Sequence, residues 1–375
     1  MTRRAISAYQ YPALSKALEM SPQEIIGAME KAGIVGLGGA GFPTAAKWRG
    51  VAEAPGEEKH AIMNADEGEP GAFKDRRILE NAPYLAIEGL LIAMRATGAG
   101  QGHVYIRKEY SKASRIVKAQ LAKLPSHAAQ YGAQVSIFRA PGGYICGEES
   151  ALIESIHGPR AEPGVRPPFP AQRGLHGKPT LVNNVETLVM AALALEKGPE
   201  WFRGNWAKLV SVSGDVKKPG VYSVSQGATL RDVIFTMAGG MAGPGFKFAL
   251  VGGYSGKVAV EEELDSIRMQ NPASFGAGAV IVMNTQRPAP WAAANIARFF
   301  RDESCGKCVP CREGTVVLDQ ALSPGRRGKK VMNLDELKPL CAVMKEACLC
   351  GLGRTAPRAI EGLLAWFAGE FEVAP

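Results

Sequence analysis

Along the first 200 residues, stretches with helical spacing of apolar side chains alternate with short strand-like runs. SPQEIIGAMEKA at 21–32 opens with Ser21, Pro22 and Glu24, a capping box with proline at the first helical position. That helix is expected to stop at Gly33, before a glycine-rich run, GLGGAGFPTAAKW, at 36–48. HAIMNADEGEPGAFKDR at 60–76 reads as a short strand entering an acidic turn. Helical spacing at 83–97 ends at Gly98, HVYIRK at 103–108 alternates as a strand, 109–123 is helical, and QVSIFRA at 134–140 is again a strand. GEESALIESI at 147–156 and NNVETLVMAALALE at 183–196 are both helical in period, the second with Asn at its start. Strands alternating with helices predict a layered α/β domain.

The pattern changes after Trp206. KLVSVSGD, PGVYSVSQGATLRDVI, FALVGG and GAVIVMN are short β runs between Gly and Pro turns, with one helix expected near Leu230 to Ala238. This predicts a small β-rich or α+β domain. From Pro290 on, WAAANIARFFRDES, GTVVLDQAL, LDELKPLCAVMKEA and APRAIEGLLAWFAGEF all have helical period, interrupted by a loop, SPGRRGKK, at 323–330.

Composition narrows the functional classes. The 375 residues are 46% apolar and 21% charged, which excludes disorder. Gly is abundant, at 44 residues, and suggests backbone held close to a ligand. The net charge of +8 is spread along the chain without a basic stripe and aromatic platforms, so a nucleic-acid partner is not expected. No run of about 20 apolar residues would span a bilayer, and the N-terminus does not read as a secretory signal. A cytoplasmic location follows as the expectation, with reduced thiols that bind metal more often than they form disulfides.

Six of the seven cysteines lie between 305 and 350. Cys305, Cys308 and Cys311 form C-x2-C-x2-C in ESCGKCVPCREGT, and ACLCGLG offers Cys348 or Cys350 as a fourth ligand. Three close cysteines and a remote one suit a four-iron cluster; zinc more often uses two separated pairs, and reduced structural thiols are the remaining alternative. Cys341 and Cys146 read as packed core thiols. Gly36, Gly38 and Gly41 satisfy G-x-G-x-x-G, but a helix rather than a strand precedes them, so this is not an ordinary dinucleotide loop. Its bare backbone still allows a flat ring or phosphate to approach, with the helix start near Pro43 and Lys47 as cation. Asn64, Asp66, Glu67 and Glu69 follow a strand, where α/β ligand sites form; a solvated acidic loop is the competing reading. Glu148 and Glu149 stand at a helix start, and Tyr144 before them either stacks on a ring or packs in the core. His60, His103, His127, His157 and His176 show no metal-site spacing and read as separate surface or core residues. No hydrolase elbow or Walker loop occurs.

Together these segments resemble the flavoprotein (51 kDa, NADH-binding) subunit family of respiratory complex I. That family is shared with the diaphorase subunit of NAD-reducing hydrogenases and the β subunit of NAD-dependent formate dehydrogenases. The resemblance rests on GLGGAGFPTAAKW, NADEGEPGAFKDR, GGYICGEESALIESIHG, RPPFPAQRGLHGKPTLVNNVETL, ESCGKCVPCREGT and CGLG, in the family's order. It implies a Rossmann-like FMN- and NADH-binding α/β domain at 1–204, a β-grasp (ubiquitin-like) domain at 205–289 and a helical [4Fe-4S] domain at 290–375. FMN is then expected at Gly36, Gly38, Lys47, Asn64, Asp66, Gly147, Asn183, Asn184 and Thr187. NADH is expected at Phe42, Glu67, Glu69, Tyr144 and Glu149, with Glu148 in the same cofactor-binding set. The family text selects Cys350 as the fourth cluster ligand and leaves Cys348 spare.

The resemblance implies electron transfer between NAD(H), FMN and the cluster, with no side chain acting as catalytic acid or base. The implied partners are a thioredoxin-like [2Fe-2S] subunit and a larger iron–sulfur, molybdopterin or hydrogenase subunit. The CLCGLGRTAP ending looks closer to the formate dehydrogenase and hydrogenase branches than to complex I, which stays as an alternative beside a non-catalytic electron-transfer subunit of an Rnf-like complex. Leu37 replaces an Arg common in the family, and Arg166 replaces a Lys. NADH is expected to be preferred over NADPH, because an added phosphate near Glu149 would meet a like charge without compensation.

Overall fold

The computed structural model describes residues 9–124, 126, 134–158, 160–323 and 334–372. Helices α1 (Pro12–Glu19) and α2 (Pro22–Ala32) come first. The Ser21 hydroxyl accepts the Glu24 amide while the Glu24 carboxylate accepts the Ser21 amide, so the expected capping box forms. Gly33 ends α2 at φ 70°, a left-handed position that favours glycine. The chain continues through α3 (Thr44–Ala52), β1 (His60–Ala65), α4 (Lys74–Asn81), α5 (Pro83–Thr97), β2 (Gln101–Ile106), α6 (Ser111–Leu121) and β3 (Gln134–Arg139). A 3-10 turn, Tyr144–Gly147, leads into α7 (Glu149–His157). Strand β4 (Thr180–Asn184) then runs straight into α8 (Val185–Lys197) and α9 (Pro199–Asn205).

The four strands form one parallel sheet in the order β3-β2-β1-β4. Parallel sheets need both faces covered, and the alternation along β1 shows how that is met. Ala61, Met63 and Ala65 pack into the cluster that holds α1, α2, α5 and α8, whereas Ile62 joins Tyr105, Val182 and Leu152 under α7. Strand β4 is absent from the sequence reading, which began a helix at Asn183. Thr180–Asn184 passes into α8 without a turn residue to mark the change.

A second, mixed sheet follows: β5 (Ala207–Gly214), β6 (Gly220–Ser225), β7 (Phe246–Val251), β8 (Lys257–Ala259) and β9 (Ala279–Asn284), in the order β6-β5-β9-β7-β8. The helix expected at 230–238 is a wide π-turn, Asp232–Met237. This β-grasp unit is not a separate bead. Its loop residue Ala273 lies 2.9 Å from where a Cβ on Gly41 would sit, and Ile281 lies 2.6 Å from that point on Gly71. The Phe73 amide donates to Ser211 Oγ at 3.0 Å and the Leu209 amide to Glu186 Oε1 at 2.6 Å. The second sheet therefore buttresses both the glycine run and the acidic turn.

The chain ends in helices: α10 (Ala289–Glu303), α11 (Val309–Leu322), α12 (Leu334–Ala347), α13 (Gly351–Trp366) and α14 (Ala368–Glu372). Apart from Ser323, the loop expected at 323–330 lies outside the described residues. No helix among the described residues is long and apolar enough to cross a membrane.

Candidate functional site

One cleft of about 1690 Å³ opens beyond the C-terminal ends of β1 and β4, where open α/β sheets bind ligands. Single-ligand pockets are usually about 300–1,000 Å³, so this one has room for two. Gly36, Gly38, Phe42, Lys47, Asn64, Asp66, Glu67, Glu69, Tyr144, Gly147, Glu148, Glu149, Asn183 and Asn184 all line it. Thr187 does not. It is fully buried behind the glycine run, where its Oγ1 accepts the Leu37 amide at 2.9 Å, so it supports the loop and does not face a ligand.

The loops are held by their own polar groups. Asn64 donates to the Gly147 carbonyl at 2.8 Å and accepts the Asp66 amide at 3.1 Å, joining the acidic turn to the 141–147 loop. Asn184 caps α8 through the Glu186 amide at 2.9 Å and donates to Asp75 at 2.6 Å. Asn183 accepts the Trp48 indole N–H at 2.8 Å. Gly38 passes this corner because it has no Cβ, whose position would be only 3.3 Å from the Asn184 Cβ. Behind them the Lys74 ammonium is buried between Asp75 at 2.8 Å and Glu186 at 2.9 Å.

Two cleft-lining residues carry buried polar atoms without a hydrogen-bond partner, Thr44 Oγ1 at the start of α3 and both carboxylate oxygens of Asp66; one Nη of Arg107, behind Asp66, is likewise without a hydrogen bond. Buried polar groups are almost always paired, so these orphans fit a polar ligand such as FMN in the cleft. Burial pushes Asp66 up to about 7, against the opposing Arg107 charge 3.9 Å away. Burial, with Asp75 beside it, also pushes Glu67 up to about 7. Glu67 accepts the Asp75 and Arg76 amides and the Tyr110 hydroxyl. Glu69 is raised by burial; it accepts the Tyr144 hydroxyl at 2.7 Å and the Ser255 hydroxyl at 2.6 Å.

Glu149 is not a bare negative charge. Lys47 Nζ lies 2.8 Å from it and also donates to the Val182 carbonyl at 3.2 Å; Arg166 lies 3.3 Å from the same carboxylate and pairs with Glu148. Glu148 also caps α7, accepting the Ser150 and Ala151 amides. Phe42 and Phe169 are about half exposed on the cleft, and the Arg166 guanidinium sits 5.9 Å from the Phe169 ring centroid. Phe169 escaped the sequence reading, as did the wall supplied by the second sheet, including Gly252, Ser255, Lys257, Arg268 and Phe275. The paired glycines Gly252 and Gly253, both at positive φ, were the signal of a close approach there.

The cleft reaches the cysteine region, since Gly351, Leu352 and Thr355 on the first turns of α13 also line it. Cys305, Cys308 and Cys311 lie between α10 and the first turn of α11. Cys348 is buried; hydrogen bonding to it, the first cause, lowers the Cys311 thiol to about 7. Cys350 stands at the N-terminal boundary of α13, without a side-chain capping bond, and burial pushes its thiol up to about 11. Among the described residues no three His, Cys, Asp or Glu side chains already stand at metal-holding spacing. Five soft thiol donors in one neighbourhood nevertheless suit an iron–sulfur cluster. Cys146 donates to the Gly142 carbonyl at 3.2 Å, and Cys341 is fully buried, so both pack as expected.

The histidines are not separate. His60 Nδ1 and His103 Nε2 are 3.2 Å apart, the His176 amide donates to His157 Nε2 at 2.9 Å, and the His60 and His176 ring centroids are 5.9 Å apart. Residues distant in sequence meet there, so spacing could not reveal it. His127 lies outside the described residues.

Residues 29–192 match the Nuo51 FMN-binding domain, 209–258 the SLBB domain, and 291–374 the NADH-ubiquinone oxidoreductase-F iron–sulfur binding region. The chain is 40% identical to the F subunit of NADH-quinone oxidoreductase from Aquifex aeolicus, over 96% of this chain and 88% of that one. It is 37% identical to NADP-reducing hydrogenase subunit HndC of Solidesulfovibrio fructosivorans, over 96% of this chain and 78% of that one. It is 38% identical to NAD-reducing hydrogenase HoxS subunit alpha of Cupriavidus necator, over 92% and 60%. The crystal structure of an NAD+-reducing [NiFe]-hydrogenase in the H2-reduced state superposes with a TM-score of 0.90 at 36% identity, over 98% of this chain and 66% of that one. Similarity of this extent makes the chain a member of the complex I 51-kDa flavoprotein family, an NADH dehydrogenase-type oxidoreductase subunit whose cofactors are FMN, NAD(H) and a [4Fe-4S] cluster.

Proposed function

We propose that the chain is the NAD(H)-facing subunit of a larger soluble redox complex of the hydrogenase or formate dehydrogenase type, located in the cytoplasm. One observation carries the electron-transfer reading: the first turns of α13, directly after Cys350, form a wall of the cleft that holds the FMN candidates. The proposed cofactor site and the proposed cluster site would then share a structural element. The boundaries proposed for the three units are 1–204, 205–289 and 290–375.

FMN held in this cleft would supply the chemistry that links a two-electron hydride donor to a one-electron acceptor. The chain's part is positioning and exclusion of water. The glycine run, Asn64, Asp66, Gly147, Asn183 and Asn184 form the proposed flavin cradle, and Thr44 Oγ1 offers a free donor at the start of α3. Phe42, Tyr144, Glu67, Glu69 and Glu149 form the proposed nicotinamide-nucleotide wall. Cys305, Cys308, Cys311 and Cys350 are the proposed cluster ligands. A thioredoxin-like [2Fe-2S] subunit is the proposed redox neighbour.

The test is purification from the native host with spectroscopy of the isolated chain. Reconstituted protein should show a flavin band that bleaches with NADH, and should reduce ferricyanide. Co-purification of a molybdopterin or nickel–iron chain would support the proposed assembly. Recovery in a membrane-bound quinone-reducing assembly would overturn it in favour of complex I.

A further inference from the structure

Loop 141–147 carries Tyr144, and that one residue is fastened from three directions. Its hydroxyl donates to Glu69 at 2.7 Å, and its ring lies edge-on to Phe299, with centroids 5.2 Å apart. Its backbone N–H donates to Glu303 Oε2 at 2.6 Å, across 159 residues of sequence. Glu303 is the last residue of α10 and is followed by Ser304 and Cys305.

Glu303 is placed against local preference. The carbonyl end of a helix favours cations, and an acid there is repelled by the helix dipole. A specific bond elsewhere has to offset that cost, and the Tyr144 amide supplies it. The loop needs such an anchor. Strand β3 ends at Arg139, and Gly142 and Gly143 sit at φ 105° and 104°, so no strand pairing holds the loop itself. A Cβ on Gly143 would stand 3.5 Å from Glu303 Oε2, so the carboxylate lies directly over the loop backbone. Three residues beyond Tyr144, the Gly147 carbonyl accepts Asn64, so a displaced Tyr144 would disturb the acidic turn as well.

We propose that Glu303 is a positioning residue that latches loop 141–147, through the Tyr144 amide, onto the end of α10, two residues before Cys305, fixing the cofactor cleft relative to the cluster site. The proposal rests on the reading of that loop as a wall of the flavin and nicotinamide site.

The experiment compares Glu303→Gln, Glu303→Asp and Glu303→Ala in the full chain loaded with FMN and iron–sulfur cluster. Gln keeps an acceptor oxygen at the same reach, whereas Asp keeps the charge and withdraws it by one methylene. Hydrogen exchange at the Tyr144 amide, iron and FMN content, and the rate of cluster bleaching by NADH are measured. In Asp and Ala, exchange at Tyr144 should accelerate about tenfold or more, and cluster bleaching should slow by a similar factor at wild-type iron and FMN content. Gln should stay near wild type in both. Unchanged Tyr144 exchange in Asp, or Gln behaving as Asp does, overturns the latch. Should Ala fail to fold, the Asp and Gln pair carries the test alone. Should the wild-type flavin fail to bleach with NADH, the functional reading falls, while the exchange contrast still decides the latch.

Discussion

Lys47 and Glu149, 102 residues apart in sequence, form a partly buried ion pair at 2.8 Å that ties the start of α3 to the start of α7. Arg166 stands 3.3 Å from the same carboxylate. The expectation that Glu149 repels an added phosphate without compensation is therefore incorrect in its reason: Lys47 is paired with it, and Arg166 is shared between it and Glu148.

The same pairing makes a sharper prediction for nucleotide choice. Glu149→Gln frees Lys47 from its carboxylate while Arg166 keeps Glu148, so one cation becomes available to a phosphate in the cleft. The NADPH-to-NADH ratio of kcat/KM should rise, by about tenfold, since one charge-assisted contact is worth about that much. Steady-state kinetics with both nucleotides checks it, and an unchanged ratio removes Glu149 from the selectivity argument.

Asp66 carries a pH signature in the FMN-free chain. Its folded value of about 7 lies above the ordinary 3.8 because burial penalises the charged carboxylate. A raised acid binds its proton more tightly when folded, so its penalty is absent below about pH 4, grows with rising pH, and is complete above about pH 7. The penalty is bounded at about 4 kcal/mol, and Asp66→Asn should remove most of it. Urea unfolding of FMN-free protein at pH 5 and pH 8 should show the variant gaining at both, but about twice as much or more at pH 8, where the penalty is fully developed. Equal gains at both would mean Asp66 is not the titrating group.

The elements most legible in sequence were those with local signals. Ser21, Pro22 and Glu24 announced α2, and Gly33 its end, because caps act within four residues. The glycine run, NADEGEP, GGYICGEES and the cysteine spacing led to side chains that line one cleft or neighbour it, because each motif sits at an element boundary. What escaped depended on contacts between distant segments. Strand β4 is defined by its pairing with β1, and its five residues merge into a stronger helical pattern. The β-grasp wall depends on Gly253 pressing against Glu69 and Pro70. Glu303 looked like the ordinary end of an amphipathic helix, and only the fold brings the Tyr144 amide to it. Thr187 was carried into the site by motif, yet its position one turn into α8 points it at the Leu37 backbone.

Gly353 tests how tightly α13 is fitted to the cysteines. A Cβ there would fall 2.5 Å from Cys348 Sγ and 2.9 Å from the Cys311 Cβ. Alanine would gain about 1 kcal/mol of helix propensity but lose about 1–3 kcal/mol to overpacking. Gly353→Ala should therefore lower iron content while leaving FMN binding near wild type. Full iron loading in that variant would show that the cysteine pocket has slack.

Cys348 and Cys350 make the most discriminating pair, because they flank Leu349 and both lie near the other thiols. Cys348 is buried with Gly353 against it and hydrogen bonds to Cys311, deep beneath the loop. Cys350 stands at the start of α13, directly before Gly351 and Leu352, which line the cleft. Cys350 is half-buried beside the cleft, whereas Cys348 is closed in by the packing of α13. This placement, with the Cys-Gly-Leu-Gly text at 350–353, favours Cys350 as ligand and Cys348 as a packed thiol. Cys350→Ser should then lose or damage the four-iron electron paramagnetic resonance signal of the reduced protein. Cys348→Ser should keep four irons per chain, FMN and NADH-driven reduction. Flavin bleaching by NADH should survive even in Cys350→Ser, since it requires only the cleft, while transfer onward to a partner should collapse. If Cys348→Ser alone abolishes the cluster, the buried thiol is the ligand, and the α13 cap has the structural role instead.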